Sequence, residues 1–143
     1  MLKALAGGVV GAVTLNAVHE SMRRAVPHAP RVDVIGTRAI RRPIEAAGYS
    51  PPKWSDAHRY ALYGDLASNA AYYSLAAIGQ AKNATARGAL LGFLGGVGAV
   101  VLPPLVGLGK QPHRASPWTE LMTVAWYTLG GIAAGKAIEA LGD

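Results

Sequence analysis

Long apolar stretches separated by shorter polar ones dominate this chain. Four of them are long enough to be membrane-crossing helices, and they cover residues 2–22, 57–79, 85–108 and 117–141. A transmembrane helix needs about 20 residues to cross a hydrocarbon layer of about 30 Å. Buried helices of a soluble protein are the alternative, but the first and third stretches lack the polar face that such helices carry. The pattern therefore predicts an all-α fold, a polytopic integral membrane four-helix bundle that forms a single domain over residues 1–143.

The connection between the first two stretches contains a segment with one apolar and one polar side. At helical spacing, the apolar side of residues 32–47 comprises Val32, Ile35, Ala39, Ile40, Ala46 and Ala47, and the polar side comprises Asp33, Thr37, Arg38, Arg41 and Glu45. This predicts an amphipathic helix at the membrane interface or across the end of the bundle, shortened or kinked at Pro43. Arg38, Arg41 and Arg42 are candidates to bind lipid headgroups or a partner protein. A solvated helix that only closes the bundle is the alternative.

The composition favours a membrane protein and excludes several other classes. Hydrophobic residues make up 51% of the chain and charged residues 15%, which is more apolar than an ordinary soluble protein. The net charge is +6, but the basic residues gather between the apolar stretches, so no nucleic-acid partner is expected. The absence of cysteine excludes disulfides and thiolate metal sites. No phosphate-binding glycine loop or nucleophile elbow occurs, and no cofactor is expected.

Basic residues are distributed unequally between the two predicted sides of the membrane. Ten lie on the side of the first and third connections: Arg23, Arg24, Arg31, Arg38, Arg41, Arg42, Lys53, Arg59, Lys110 and Arg114. Four lie on the other side: Lys3, Lys82, Arg87 and Lys136. Because cytoplasmic loops carry an excess of Lys and Arg, the long loop is predicted in the cytoplasm and both termini outside, in a multi-pass protein.

Capping residues and small residues support the predicted helices. Ser55, Thr85 and Ser116 are placed to cap the second, third and fourth stretches, and the third closes or kinks at its two prolines. Small residues spaced four apart give each helix a flat strip: Gly7 and Gly11; Gly64 and Ser68; Ala67 and Ala71; Gly88, Gly92 and Gly96; Gly131 and Gly135. Such strips allow close helix contact in lipid. Packing within one chain is predicted, and a homo-oligomer seam on the third stretch is the alternative.

Asp65 is a carboxylate near the middle of the second apolar stretch. Counted from Asp56 at 1.5 Å per residue, it lies about 13 Å into the membrane. An ionised carboxylate at that depth costs several kcal/mol unless it is paired, hydrated or protonated. Asp65, Ser68, Asn69 and Tyr72 share one face of the helix, so that face is predicted to point into the bundle.

Two other stretches carry polar residues at a matching depth. Asn16, His19 and Glu20 share a face of the first, and Glu120, Thr123 and Tyr127 share a face of the fourth. Because isolated polar groups are costly in hydrocarbon, these side chains are expected to converge. The predicted pocket comprises Asn16, His19, Glu20, Asp65, Asn69, Glu120 and Tyr127.

Three roles are open for this pocket. The first is a hydrogen-bond network that fixes the helix register. The second is a site or route for a proton, an ion or a small polar molecule, and the third is the centre of a membrane-embedded metal enzyme. The enzyme is disfavoured because the sequence lacks Glu-x-x-His pairs and a His-Glu-x-x-His helix, so no metal ligand or catalytic residue is assigned. The expected function is non-enzymatic binding of a small polar ligand or a partner, with a channel or carrier as the alternative. The expected partners are the bilayer and a second copy or a larger membrane complex.

The stretch "PLVGLGKQPHRASPWTELMTVAW", residues 104–126, resembles the YagU-like group of bacterial inner-membrane proteins. The shared features are a Pro-Leu-x-Gly-Leu turn and a Pro-Trp pair that precedes a helix opening with Glu. Pro117, Trp118 and Glu120 are the matching positions. The group has no established activity, so the resemblance implies a location in the cell inner (cytoplasmic) membrane and no reaction. This chain departs from the group in its strongly basic first loop and in lacking a basic N-terminal tail.

Overall fold

The computed structural model describes residues 1–112 and 116–142, and these fold into α-helices without any strand. The five helices are α1 (Leu2–Ala25), α2 (Val32–Ala46), α3 (Trp54–Ser74), α4 (Ala84–Leu105) and α5 (Pro117–Ala140). Short 3₁₀ turns at Leu75–Ala77 and Ala81–Asn83 connect α3 to α4. The all-α prediction is confirmed, and each predicted stretch corresponds to one helix.

The helix ends follow the predicted caps in only one of three cases. Ser116 caps α5 by accepting a hydrogen bond from the backbone N–H of Thr119 at 3.3 Å, with Pro117 in the first turn. The predictions for Ser55 and Thr85 are wrong, because α3 begins at Trp54 and α4 at Ala84, so both residues lie inside their helices. The third stretch closes at its prolines as predicted, with α4 ending at Leu105.

Helix α5 lies against α1 and α4, and α1 in turn packs against α3, so the helices follow the spatial order α3, α1, α5, α4. Helices α3 and α4 touch only lightly. Their contact lies near the short α3–α4 connection, where the Tyr72 hydroxyl donates to the Leu91 carbonyl at 2.8 Å. Towards the opposite end of the bundle, α2 packs against α3. This opposite end, where α1 ends and α3 begins, carries most of the basic residues and is called the basic end below.

Glycines bring α4 and α5 into backbone contact. A methyl group on Gly131 would overlap the carbonyl oxygen of Gly88, and one on Gly96 would lie 2.6 Å from the Cα atom of Val124. The predicted strip of α4 is therefore used within the chain, as is that of α1, where a methyl group on Gly11 would lie 2.8 Å from the Gly130 carbonyl oxygen. The predicted inward strips of α3 are wrong: Ser68, Ala67 and Ala71 are exposed, and Gly64 has open space beside it.

The core lies where α1, α3 and α5 meet. Leu15 and Tyr73 are completely buried there, next to Trp126 and Tyr127. The Tyr73 hydroxyl donates to the backbone carbonyl of Tyr127 at 2.8 Å, which satisfies the one polar atom of the ring. This aromatic core fixes α3 and α5 relative to each other.

The outer surface of the bundle is rich in large apolar side chains. Exposed examples on α1 and α4 are Leu5, Val9, Val13, Leu90, Phe93, Leu94, Val101 and Leu102. Two helical segments, Leu2–Ala25 and Ala81–Leu105, are long and apolar enough to cross a membrane. Only 28% and 17% of their most apolar stretches are buried inside the protein, so most of each stretch faces outward. The other two predicted spans, α3 and α5, are not apolar enough to be counted with them, so four membrane-crossing helices stay a prediction.

Helix α2 is amphipathic in sequence, but its predicted polar side is partly wrong. Thr37 is completely buried and donates to the Asp33 carbonyl at 2.8 Å, whereas Ala39, predicted on the apolar side, is exposed. The reason is that α2 has neighbours on two sides. Gly36 approaches Ala61 of α3, and Arg38 contacts the segment that follows α4. One flank of α2 is covered by α3 and the other by the segment after α4, so only the outer face of the helix is exposed.

Candidate functional site

A cavity of about 510 Å³ lies between α1, α2 and α3 at the basic end. Its volume falls within the range of small-molecule sites. Its apolar walls are formed by Pro30, Val32, Ile35, Ala61, Leu62, Leu66, Ala99 and Pro103. Its polar lining consists of Asn16, His19, Glu20, Arg23, Asp33, His58, Asp65 and Tyr127. Apolar atoms form most of the cavity surface, although about half of the lining residues carry a polar group.

Asp65 lies at the deep end of the cavity and is held by two amides. Asn16 of α1 donates to one carboxylate oxygen at 3.0 Å, and Asn69 donates to the other at 2.9 Å. The Asn16 amide also donates to the Ala12 carbonyl at 3.0 Å, which fixes its orientation. Both oxygens of Asp65 thus have a neutral donor, and each keeps a lone pair for a further contact.

His19 connects the cavity to the aromatic core. Its ring lies edge-on to Trp126 with centroids 5.0 Å apart, and to Tyr127 at 6.1 Å. Its Nε2 atom is buried and has no hydrogen-bond partner among the described residues. The ring therefore acts mainly as a packing surface between α1 and α5.

Two carboxylates at the outer end of the cavity form ion pairs with arginines. Glu20 is half exposed and binds the guanidinium groups of Arg23 at 2.7 Å and Arg24 at 2.5 Å. Asp33 accepts two hydrogen bonds of 2.9 Å from Arg31. Burial alone would raise the pKa of Asp33, but the hydrogen bonds and positive charge of Arg31 outweigh it and hold this pKa below its usual range. Both outer carboxylates are thus neutralised by arginine.

The predicted pocket is assembled in part. Asn16, His19, Glu20, Asp65 and Tyr127 line one cavity, and Asn69 lies buried behind Asp65 as its hydrogen-bond donor. Glu120 is absent from this lining and borders a second, much smaller cavity.

The expectation that Glu120 joins Asp65 in one pocket is therefore wrong. Its neighbour Thr119 faces inward instead and donates to the His28 carbonyl at 3.0 Å. Ile35, Ala99 and Pro103 line both cavities and lie between the two sites. Glu120 thus lies one position away from the buried face of α5, and α2 and the end of α4 separate its carboxylate from the main cavity.

Sequence reasoning missed the part of the lining that α2 and the start of α3 contribute. Asp33, Ile35 and Gly36 belong to a helix predicted at the membrane interface or across the end of the bundle, and they line the cavity. His58 does so as well and lies 3.5 Å from the Thr37 hydroxyl. The available signal was spacing, because His58 precedes Asp65 by seven residues and shares its helix face.

The three arginines predicted to bind lipid or a partner have contacts inside the protein. Arg38 donates to the Lys110 carbonyl at 2.8 Å, and Arg42 donates to the Gly107 carbonyl. These carbonyls follow the end of α4, so the two arginines attach α2 to that helix. Arg41 donates to the Pro52 carbonyl at 2.6 Å and lies over the Trp54 ring. Arg114, counted with the basic side, lies outside the described residues.

Within residues 1–112 and 116–142, no group of three or more His, Asp or Glu side chains is arranged to hold a metal ion. No family model, no curated protein and no solved structure matches this chain. The resemblance of residues 104–126 to the YagU-like group therefore stays a prediction, and the assignment of function rests on the cavity itself.

Proposed function

We propose that the chain is an integral membrane protein in which α1, α3, α4 and α5 cross the bilayer and α2 lies at the cytoplasmic interface. The exposed apolar side chains of α1 and α4 support this proposal, because such a surface is suited to lipid and unsuited to water. The clustering of basic residues at one end supports the orientation. Exposed arginines there, such as Arg24 and Arg59, are positioned to approach lipid phosphates.

The proposed activity is non-enzymatic binding of a small ligand in the cavity. The observation that carries it is an apolar space of about 510 Å³ with the polar side chain of Asp65 at its deep end. A hydrogen-bond network that only fixed helix register would need no such space. Hydrogen bonds from Asn16 and Asn69 instead hold the carboxylate in a defined position beside it.

Binding is favoured over conduction by what lies beyond the cavity. Leu15 and Tyr73 are completely buried in the adjacent layer of the bundle. Further along, Gly8 approaches the Ala70 carbonyl so closely that it leaves no space for a methyl group. A route for ions across the membrane would require these layers to separate.

A cavity-filling substitution tests the proposed binding. Ala99→Phe places a ring against the cavity wall, and Ala86→Phe makes the same change at an exposed position of the same helix. Native mass spectrometry of protein purified in mild detergent, with and without a small-molecule fragment library, measures bound ligand. We expect one molecule bound to the wild type and to Ala86→Phe, and none bound to Ala99→Phe.

Two results would overturn the proposal. One is that no co-purified molecule or fragment binds the wild type. The other is that Ala99→Phe binds the same molecules as Ala86→Phe, which would place the ligand elsewhere on the protein. Circular dichroism and gel filtration of both variants establish that the fold is kept.

A further inference from the structure

We propose that the ligand of this cavity is an organic cation, an amphiphilic amine whose ammonium group contacts Asp65 and whose hydrocarbon body lies against the apolar walls. This inference rests on the proposed function and adds the chemical class of the ligand. It follows from the pairing of charges around the cavity, from the chemistry of the walls and from the depth of Asp65.

The pairing of charges singles out Asp65. The ion pairs among the described residues are Glu20 with Arg23 and Arg24, Asp33 with Arg31, Glu45 with Arg41, and Asp56 with Arg59. Asp65 takes part in none of them, and its two partners, Asn16 and Asn69, are neutral amides. Of the three carboxylates that line the cavity, Asp65 alone thus lacks a cationic partner in the described part of the chain.

The one arginine that lines the cavity does not neutralise Asp65. Arg23 follows Asn16 by seven residues on α1, so it lies about 10 Å nearer the outer end of the cavity. Its guanidinium group is occupied by three hydrogen bonds of 2.7–3.2 Å to Glu20. An anionic ligand would therefore find no free positive charge at the outer end of the cavity, and the carboxylate of Asp65 would repel it at the deep end.

The walls favour an organic cation over a metal ion. A hard cation such as Ca²⁺ requires six to eight oxygen ligands, roughly, and Mg²⁺ about six. Besides the Asp65 carboxylate, the described lining near it brings the side-chain oxygens of Asn16 and Tyr127, and its other side chains there are apolar, such as Leu62 and Leu66. Apolar walls instead contribute by removing hydrocarbon from water, and an ammonium group beside an aspartate contributes a charge-assisted hydrogen bond.

A matched series of three probes tests this inference. Phenylpropylamine is a cation at neutral pH, phenylpropanol is a neutral molecule of nearly the same shape, and phenylpropanoate is an anion. Binding is measured by isothermal titration calorimetry on protein in zwitterionic nanodiscs, with empty nanodiscs subtracted. We expect the amine to bind the wild type at least about tenfold more tightly than the alcohol, with the carboxylate weakest.

Substitution of the carboxylate completes the test. Asp65→Asn is expected to lower the affinity for the amine to that for the alcohol and to leave alcohol binding unchanged. Asp56→Asn removes the same charge from an outer position of the same helix and is expected to change neither affinity. If Asp65→Asn does not fold, the ranking of the three probes on the wild type decides the question.

Each contrary result has a distinct meaning. Equal binding of amine and alcohol, or tighter binding of the carboxylate, would overturn the inference while leaving the cavity as a binding site. The inference also fails, while the cavity stays a binding site, if the amine does not bind to the wild type although fragments from the library do. In that case Ala99→Phe must abolish binding of those fragments. Absence of any binding in both experiments would overturn the proposed function together with the inference.

Discussion

Replacing Gly131 by alanine is expected to destabilise the bundle by about 3 kcal/mol, the upper end of the usual cost of overpacking, because the added methyl group has no space. It would overlap the carbonyl oxygen of Gly88 and lie 2.8 Å from the carbonyl carbon. These are backbone atoms of a helix packed along most of its length, so they cannot turn aside as a flexible side chain would. Helices α4 and α5 must move apart, which weakens the largest helix–helix contact in the protein.

Gly64→Ala is the matched control. Gly64 also lies inside a helix, but nothing lies within 4 Å of the position of its added methyl group. Alanine is the better helix former, so this variant is expected to gain up to about 1 kcal/mol. Reversible unfolding of both variants in mixed detergent micelles measures the difference. If Gly131→Ala is as stable as Gly64→Ala, the described contact between α4 and α5 is incorrect.

Tyr73→Ala is the second substitution with a large expected effect, a loss of about 3–5 kcal/mol. The Tyr73 side chain is 0% exposed and its hydroxyl donates to the Tyr127 carbonyl. Truncation leaves a void between α1, α3 and α5 and removes that hydrogen bond. Because this layer adjoins Asp65, ligand binding should weaken together with stability. Thermal unfolding in detergent, followed by circular dichroism, measures the loss.

The control for this substitution lies on the same helix. Tyr63 is 64% exposed, so Tyr63→Ala should change the free energy of unfolding by no more than about 0.5 kcal/mol. Similar losses in both variants would mean that the two faces of α3 are equally buried. That result would contradict the position of α3 in the bundle, and with it the placement of Asp65 at the cavity.

Hydrophobic periodicity was sufficient to predict the five helices, because each helix is a continuous apolar or amphipathic stretch. The strips of small residues on α1, α4 and α5 were also readable, since spacing by four places them on one face. The convergence of Asn16, His19 and Asp65 followed from the cost of isolated polar groups in an apolar layer. The helices and the strips are local properties that depend little on how the helices are arranged. The convergence joins α1 and α3, and it could be predicted only because burial forces polar groups of different helices together.

The arrangement itself was not readable from periodicity. Glu120 shares a face with Tyr127 at helical spacing, but α2 and the end of α4 separate it from the main cavity. Ser68 shares a face with Asp65 in the same way, yet it is exposed because neighbouring helices cover only part of that face. Which part of a face is covered depends on the positions of other helices.

The role of α2 was the largest omission. An amphipathic pattern predicts one covered and one exposed side, whereas α2 is covered on two flanks, by α3 and by the segment after α4. Buried Thr37 is compatible with this position because its hydroxyl is satisfied by the Asp33 carbonyl of its own helix. Helix α2 thereby closes one side of the space that the weak α3–α4 contact leaves open.

Helices α3 and α4 are expected to cross a bilayer with the basic end on the cytoplasmic side. Because the chain has no cysteine, single cysteines at Ser50, Gln80 and Leu94 can be labelled without background. With a membrane-impermeant maleimide on intact cells, we predict labelling of Gln80→Cys, labelling of Ser50→Cys only after permeabilisation, and none of Leu94→Cys until the protein is unfolded. Labelling of Ser50→Cys and Gln80→Cys from the same side, or of Leu94→Cys in intact membranes, would contradict the account.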